Sequence, residues 1–145
     1  MTKIDSVDRR IMAILRENGR VSHNEIAGRL DLSESTVRNR IRKLICGDLL
    51  KIRGMTNTNM RADKQLLYIM ATLTTNKNWE RSAEEVAGLP GVRSVSMITG
   101  RFDLIIEIHI EPRNLINFLT NQLTSVETIK TSETLEVIKS FGKWI

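Results

Sequence analysis

The sequence predicts an α+β chain in two parts: three short helices with a strand behind them, then a βαββαβ unit. Three observations carry this reading. Apolar residues recur at helical spacing through the first 46 residues, and they alternate with a period of two from Leu104 to Glu111. The charge is also unevenly divided. Residues 1–54 hold 12 Lys and Arg against 7 Asp and Glu, whereas the remainder holds 10 of each. The whole net charge of +5 therefore lies in the helical part. A basic module joined to a neutral one suits a polyanionic partner, with a merely solvated basic surface as the alternative.

A chain of 145 residues, 41% hydrophobic and 27% charged, suits one ordinary domain or two small packed ones. No apolar run approaches the roughly 18 residues of a membrane span. The start, Met1 to Asp5, shows no apolar signal region, so a cytoplasmic location without a membrane partner is expected. A single cysteine, Cys46, excludes an internal disulfide. The two histidines, His23 and His109, are far apart, and no nucleophile–base pair, phosphate loop or carboxylate pair stands out. Neither catalysis nor a metal or other cofactor is expected.

Asp5 precedes Val7, Ile11, Ile14 and Leu15, one stripe of a first helix; Asp5 caps it, Asp8 adds negative charge to the first turn, and Gly19 stops it. Ser22 opens a second helix, with Glu25 three residues on completing a capping box and Ile26, Ala27 and Leu30 facing inward. Asp31-Leu32 is a tight turn. Asp31 stands where such turns often carry glycine, and aspartate tolerates the left-handed conformation better than most residues. Ser33 caps a third helix whose inner face is Val37, Ile41 and Leu44, with Ile45 beside them; Gly47 ends it. Leu49, Leu50 and Ile52 then alternate as a short strand. Two crossed helices with a small Ala27 at the contact, followed by a strand, make a winged helix-turn-helix over residues 1–54.

On the third helix, Ser35, Arg38, Asn39 and Arg42 lie opposite or beside the inner face, flanked by Arg40 and Lys43. Arg and Asn make bidentate contacts to guanine and adenine edges in the major groove. Lys43, together with Ser33, Ser35 and Thr36 at the helix start, suits phosphate oxygens. These residues are the candidate interface with double-stranded DNA.

Residues 55–65 show little periodicity and read as a linker. Leu66–Leu73 reads as a strand, and Trp79, Ala83, Val86 and Ala87 as a helix face with Trp79 in the core. Leu89-Pro90-Gly91 breaks that helix. Val92–Thr99 is the next strand and Gly100-Arg101 a turn. In the third strand Leu104, Ile106, Ile108 and Ile110 face one way, and Ile105, Glu107, His109 and Glu111 the other. Pro112 starts a helix carrying Leu115, Phe118, Leu119 and Leu123, and Leu135, Val137 and the last residues form a final strand. This order is that of a ferredoxin-like sandwich over residues 66–145, with two helices on one face of a sheet. The other face, with Ile105 and His109 among polar groups, is half apolar, which predicts sheet-to-sheet dimerisation with His109 at the surface or interface.

Taken in order, these segments resemble the Lrp/AsnC, or feast/famine, transcription regulators over nearly the whole chain. The resemblance is carried by Ile4-Asp5-Ser6-Val7-Asp8-Arg9-Arg10-Ile11, Gly19-Arg20-Val21-Ser22, Glu25-Ile26-Ala27, the run Leu32 to Ile41, and Gly47-Asp48-Leu49-Leu50. In the second part it is carried by Leu89-Pro90-Gly91-Val92 and Thr99-Gly100-Arg101-Phe102-Asp103. The resemblance implies a sequence-specific regulator whose second domain dimerises, assembles further into tetramers or octamers, and binds a small effector, commonly an amino acid. It points to Gly100 and Asp103 first for the effector, with Thr99, Arg101 and Phe102 beside them. The chemistry is compatible: Asp103 can accept from an ammonium group or cap neighbouring amides, and Arg101 can hold a carboxylate. A purely structural hairpin turn is the alternative there. Two other functions share the scaffold: a haem-pathway decarboxylase, disfavoured by a second domain with one His and little aromatic content, and a nucleoid-like architectural protein.

Overall fold

The computed structural model describes residues 4–60, 63–74 and 78–144. The chain divides into two compact units, Met1–Met55 and Thr56–Ile145.

The first unit holds α1 (Ser6–Glu17), α2 (His23–Leu30) and α3 (Glu34–Cys46). Asp5 caps α1, and the cap is a full capping box in which Asp5 and Asp8 each accept the other's backbone N–H. Ser22 caps α2 by accepting from the Glu25 amide at 3.2 Å. The return half expected of Glu25 is not made; its carboxylate accepts from Arg29 at 2.6 Å, one turn along the exposed surface. Asp31 ends α2 in the left-handed conformation (φ 55°, ψ 53°). Ile11, Leu15, Ile26, Ala27, Val37 and Ile41 form the core, with Leu30, Leu32 and Leu50 packed against it. Ile45, expected on the inner face, is half exposed.

The expected wing strand is absent: residues 49–54 form no strand. The amides of Leu49 and Leu50 both donate to the Leu44 carbonyl, at 2.9 and 3.3 Å, so they turn the chain back against α3 rather than joining a ladder. Asp48, not Gly47, takes the left-handed position there (φ 55°).

The second unit holds β1 (Gln65–Leu73), α4 (Trp79–Ala87), β2 (Val92–Met97), β3 (Leu104–Ile110), α5 (Pro112–Asn117) and β4 (Ile129–Glu136). After α5 the chain continues through a π-helical turn, Phe118–Gln122, and a 3-10 turn, Leu123–Ser125. The strands form one antiparallel sheet in the order β2-β3-β1-β4, the ferredoxin-like order. Alternation sets the faces. Leu67, Ile69, Ala71, Leu104, Ile106 and Ile108 are buried, together with Val86 of α4 and with Phe118 and Leu123 of the turns after α5.

Several edges differ from expectation. The last strand begins at Ile129 and ends at Glu136, before Val137; Ile145 lies outside the described residues. Trp79 is 41% exposed, and Ser82 takes the buried place on α4 in its stead. Ala87 is exposed as well. Part of the expected linker is built onto the second unit: Asn57 bridges Trp144, and Asn59 exchanges two hydrogen bonds with the Ser140 backbone. Arg61 and Ala62 of that stretch lie outside the described residues.

Candidate functional site

The polar face of α3 is laid out as the helical spacing requires. Val37, Ile41 and Leu44 are buried, while Ser33, Ser35, Arg38, Asn39, Arg42 and Lys43 are exposed and Thr36 is half-buried. The Ser33 hydroxyl accepts from the Thr36 amide at 3.1 Å and lies 2.7 Å from the Thr36 hydroxyl and 3.0 Å from that of Ser35. Arg38 pairs with Glu34 one turn back, and Arg42 donates to the Asn39 side-chain oxygen at 2.7 Å. Pairs of this kind between exposed groups contribute little, so they hold the guanidinium groups along the helix at small cost to release.

Arg40 departs from the expected DNA-facing set. It is only half-buried, yet its Nη1 lies 2.6 Å from Asp5 Oδ2 and 2.8 Å from Asp8 Oδ1, so it is committed to the start of α1. The Asp8 amide and then Arg40 hold the Asp5 carboxyl below its ordinary range; Asp5 and then Asp8 raise the Arg40 guanidinium above its own. Helical periodicity could not distinguish this partner from solvent, because the two acids lie on another helix.

The Thr99–Asp103 loop joins β2 to β3. Thr99, Gly100 and Arg101 are exposed; Phe102 and Asp103 are half-buried. Gly100 has φ 125°, and a Cβ there would meet no atom within 4 Å, so glycine is favoured for its backbone and not for want of space in this chain. Arg101 stands over the Phe102 ring, 5.2 Å from its centre. Asp103 is tied three ways to the neighbouring strands. Its N–H donates to the Ala71 carbonyl and its own carbonyl accepts from Ile98, both at 2.9 Å. Its Oδ2 accepts from the Leu73 amide at 2.7 Å. Of the two roles open to Asp103, capping amides is the one made within this chain.

One polar cluster was missed from the sequence. On the open sheet face Lys143 donates at 2.7 Å both to Glu107 Oε2 and to the Tyr68 hydroxyl. Tyr68 and Glu107 are register partners on β1 and β3, whereas Lys143 arrives from the C-terminal segment. Burial alone would lower the Lys143 ammonium; the bonds to Glu107 and Tyr68 outweigh it and raise it. His109, expected at the surface or an interface, is 7% exposed in this chain, with Nε2 3.6 Å from Glu107 Oε1. Its strand alternation puts it on the same face as Glu107.

A helix-turn-helix unit with an exposed basic face on its second helix, joined to a separate sheet domain, defines the class of DNA-binding proteins. Residues 4–45 match the AsnC-type helix-turn-helix domain and residues 66–143 the Lrp/AsnC ligand binding domain. The chain belongs to the Lrp/AsnC family of transcription regulators, and both of its matched domains are domains of such regulators. The HTH-type transcriptional regulator PF1231 of Pyrococcus furiosus is 30% identical over 142 residues, covering 97% of this chain and 95% of the relative. The crystal structure of PH0061 superposes with a TM-score of 0.79 at 20% identity, covering 100% of this chain and 99% of that one. A complex of the regulator NMB0573 from Neisseria meningitidis with L-Met superposes at 0.71 with 21% identity, covering 97% and 94%. Among the described residues no helix is long and apolar enough to cross a membrane.

Proposed function

We propose that this regulator reads double-stranded DNA with the exposed face of α3, as a dimer formed through the open sheet face. We further propose that it answers a small amino acid, or a close relative, held near Thr99–Asp103. The observation that carries the DNA reading is the coincidence of Ser35, Arg38, Asn39, Arg42 and Lys43 on one exposed face with the first third of the chain, which holds all the net positive charge. Arg38, Asn39 and Arg42 are the base readers; Ser33, Ser35, Thr36 and Lys43 address phosphates. Arg40 is withdrawn from this set.

Dimerisation is supported by the open face, where Leu66, Met70, Ile105 and Leu135 surround the Tyr68–Glu107–Lys143 cluster. Two copies related by a two-fold axis can place two α3 helices in successive major grooves, roughly 34 Å apart. Higher assembly into tetramers or octamers extends the same proposal. The effector reading is supported by the Lrp/AsnC ligand binding domain and by the opposite charges of Arg101 and Asp103 beside a glycine turn.

The test is binding to duplexes selected from genomic DNA by the wild-type protein. Arg38→Ala and Arg42→Ala should each weaken binding by about 1–3 kcal/mol, and wild-type affinity should fall steeply with salt. A folded double variant that binds the selected duplex like the wild type refutes the assignment of α3. A specific-to-non-specific affinity ratio near one would favour an architectural role instead.

A further inference from the structure

We propose that Arg40 is a positioning residue: together with Asp5 and Asp8 it forms a clamp that sets the rotation of α3 on α1, and hence the aim of the DNA-reading side chains. The inference rests on the reading of α3 as the DNA-contacting helix. Its basis is how the four carboxylate oxygens are used. Asp5 Oδ1 accepts from the Asp8 amide at 2.8 Å and Asp8 Oδ2 from the Asp5 amide at 3.2 Å, which closes the capping box. The remaining oxygen of each acid, Asp5 Oδ2 and Asp8 Oδ1, faces Arg40 at 2.6 and 2.8 Å. The first turn of α1 is thus a preformed two-carboxylate receptor for one guanidinium of α3. The Asp8 side chain is only 11% exposed, against 59% for Arg38 at the reading face.

The packing of Val37 and Ile41 against α1 and α2 is apolar and only weakly directional; Arg40 Nη1, which meets one oxygen of each acid, is the directional contact. At a radius of about 6 Å, a 10° roll of α3 displaces a side-chain tip by about 1 Å. That is larger than the distance window of a good base contact. The clamp also offsets one of the two acidic charges at the start of α1.

The experiment compares wild type, Arg40→Ala, Arg40→Lys, Asp5→Asn/Asp8→Asn and Arg38→Ala/Arg42→Ala, on a duplex selected with the wild type and on a scrambled duplex of equal length, across salt. Asn caps a helix as well as Asp does, so the double Asn variant keeps the capping box while removing the charges. If the clamp sets the aim, Arg40→Ala loses about tenfold or more on the selected duplex, the scale of one base contact, with little change on the scrambled one and an unchanged salt slope. Asp5→Asn/Asp8→Asn loses selectivity too, while its scrambled-duplex affinity rises because two anionic charges are gone. Arg40→Lys recovers only part, since its side chain is one atom shorter and its ammonium falls short of the place where Nη1 meets both acids.

A loss shared equally by both duplexes, with a salt slope reduced by about one and full rescue by Lys, identifies a phosphate contact and overturns the proposal. Lower thermal stability with an unchanged affinity ratio identifies a purely structural ion pair and overturns it as well. If Arg38→Ala/Arg42→Ala keeps wild-type selectivity, the reading of α3 fails and the clamp falls with it. If that variant loses selectivity and the clamp variants do not, the clamp alone is refuted.

Discussion

Replacing Asp103 by Ala removes the acceptor of the Leu73 amide, a bond of 2.7 Å at the end of β1, the central strand that pairs with both β3 and β4. Leu73 is buried, and its N–H would lose a charged partner at a point water reaches poorly. Such a bond contributes about 1.5–3 kcal/mol, so Asp103→Ala should cost the second unit about 2 kcal/mol. In a domain of 60–100 residues that corresponds to a fall of about 8–16 °C in melting midpoint. Asp103→Asn keeps a side-chain oxygen for the same amide and should cost about 1 kcal/mol or less. Urea and thermal unfolding of the three proteins measure this directly. A melting midpoint for Asp103→Ala equal to that of the wild type would refute the reasoning, because it would mean the carboxylate contributes nothing to the junction of β1 and β3. The distinction bears on the effector. A lost response in Asp103→Ala mixes ligand contact with loop damage. Thermal shift against the twenty amino acids should therefore be judged with Asp103→Asn, which removes the charge and keeps the turn.

Gly91 has φ 86°, and an added Cβ would lie 3.2 Å from the His109 carbonyl, so Gly91→Ala should cost about 1–3 kcal/mol; unfolding midpoints equal to wild type would count against the strain argument. The acid limb should report the Arg40 clamp. The folded pKa of Asp5 is lowered, so the stability it contributes is present above its unfolded value, about 4, and is lost as pH falls through the folded one. The melting difference between wild type and Arg40→Met should therefore shrink below about pH 4, and a difference constant from neutral pH to pH 3 would contradict it.

Caps and alternating apolar positions are local in sequence, and they survive into the structure. Asp5, Ser22 and Ser33 cap the three helices, and Asp31 turns left-handed where the helix-turn-helix needs it. The alternation from Leu104 to Ile110 sorts core from open face, since successive side chains of a strand point to opposite sides. The two family matches, over residues 4–45 and 66–143, span the stretches in which those local patterns lie. The candidate site was legible as far as periodicity reaches: α3 exposes Arg38, Asn39 and Arg42 as its spacing requires.

The partners of polar side chains were not legible, because a charged residue looks alike on a wheel whether it meets water, DNA or a carboxylate from another element. The wheel groups Arg40 with the DNA-facing side chains, whereas in the folded chain its guanidinium meets Asp5 and Asp8, more than thirty residues away. The Leu49–Ile52 alternation suggested a strand. A strand needs a neighbour to take its amides, and here the Leu44 carbonyl takes two of them first. His109 and Lys143 follow the same rule. Alternation put His109 on the open face, and only the folded chain brought the C-terminal Lys143 across to Glu107 and Tyr68 on that face. Local pattern fixes which way a residue points from its own element. What it meets there is decided by contacts between residues distant in the chain, which exist only once the core has assembled.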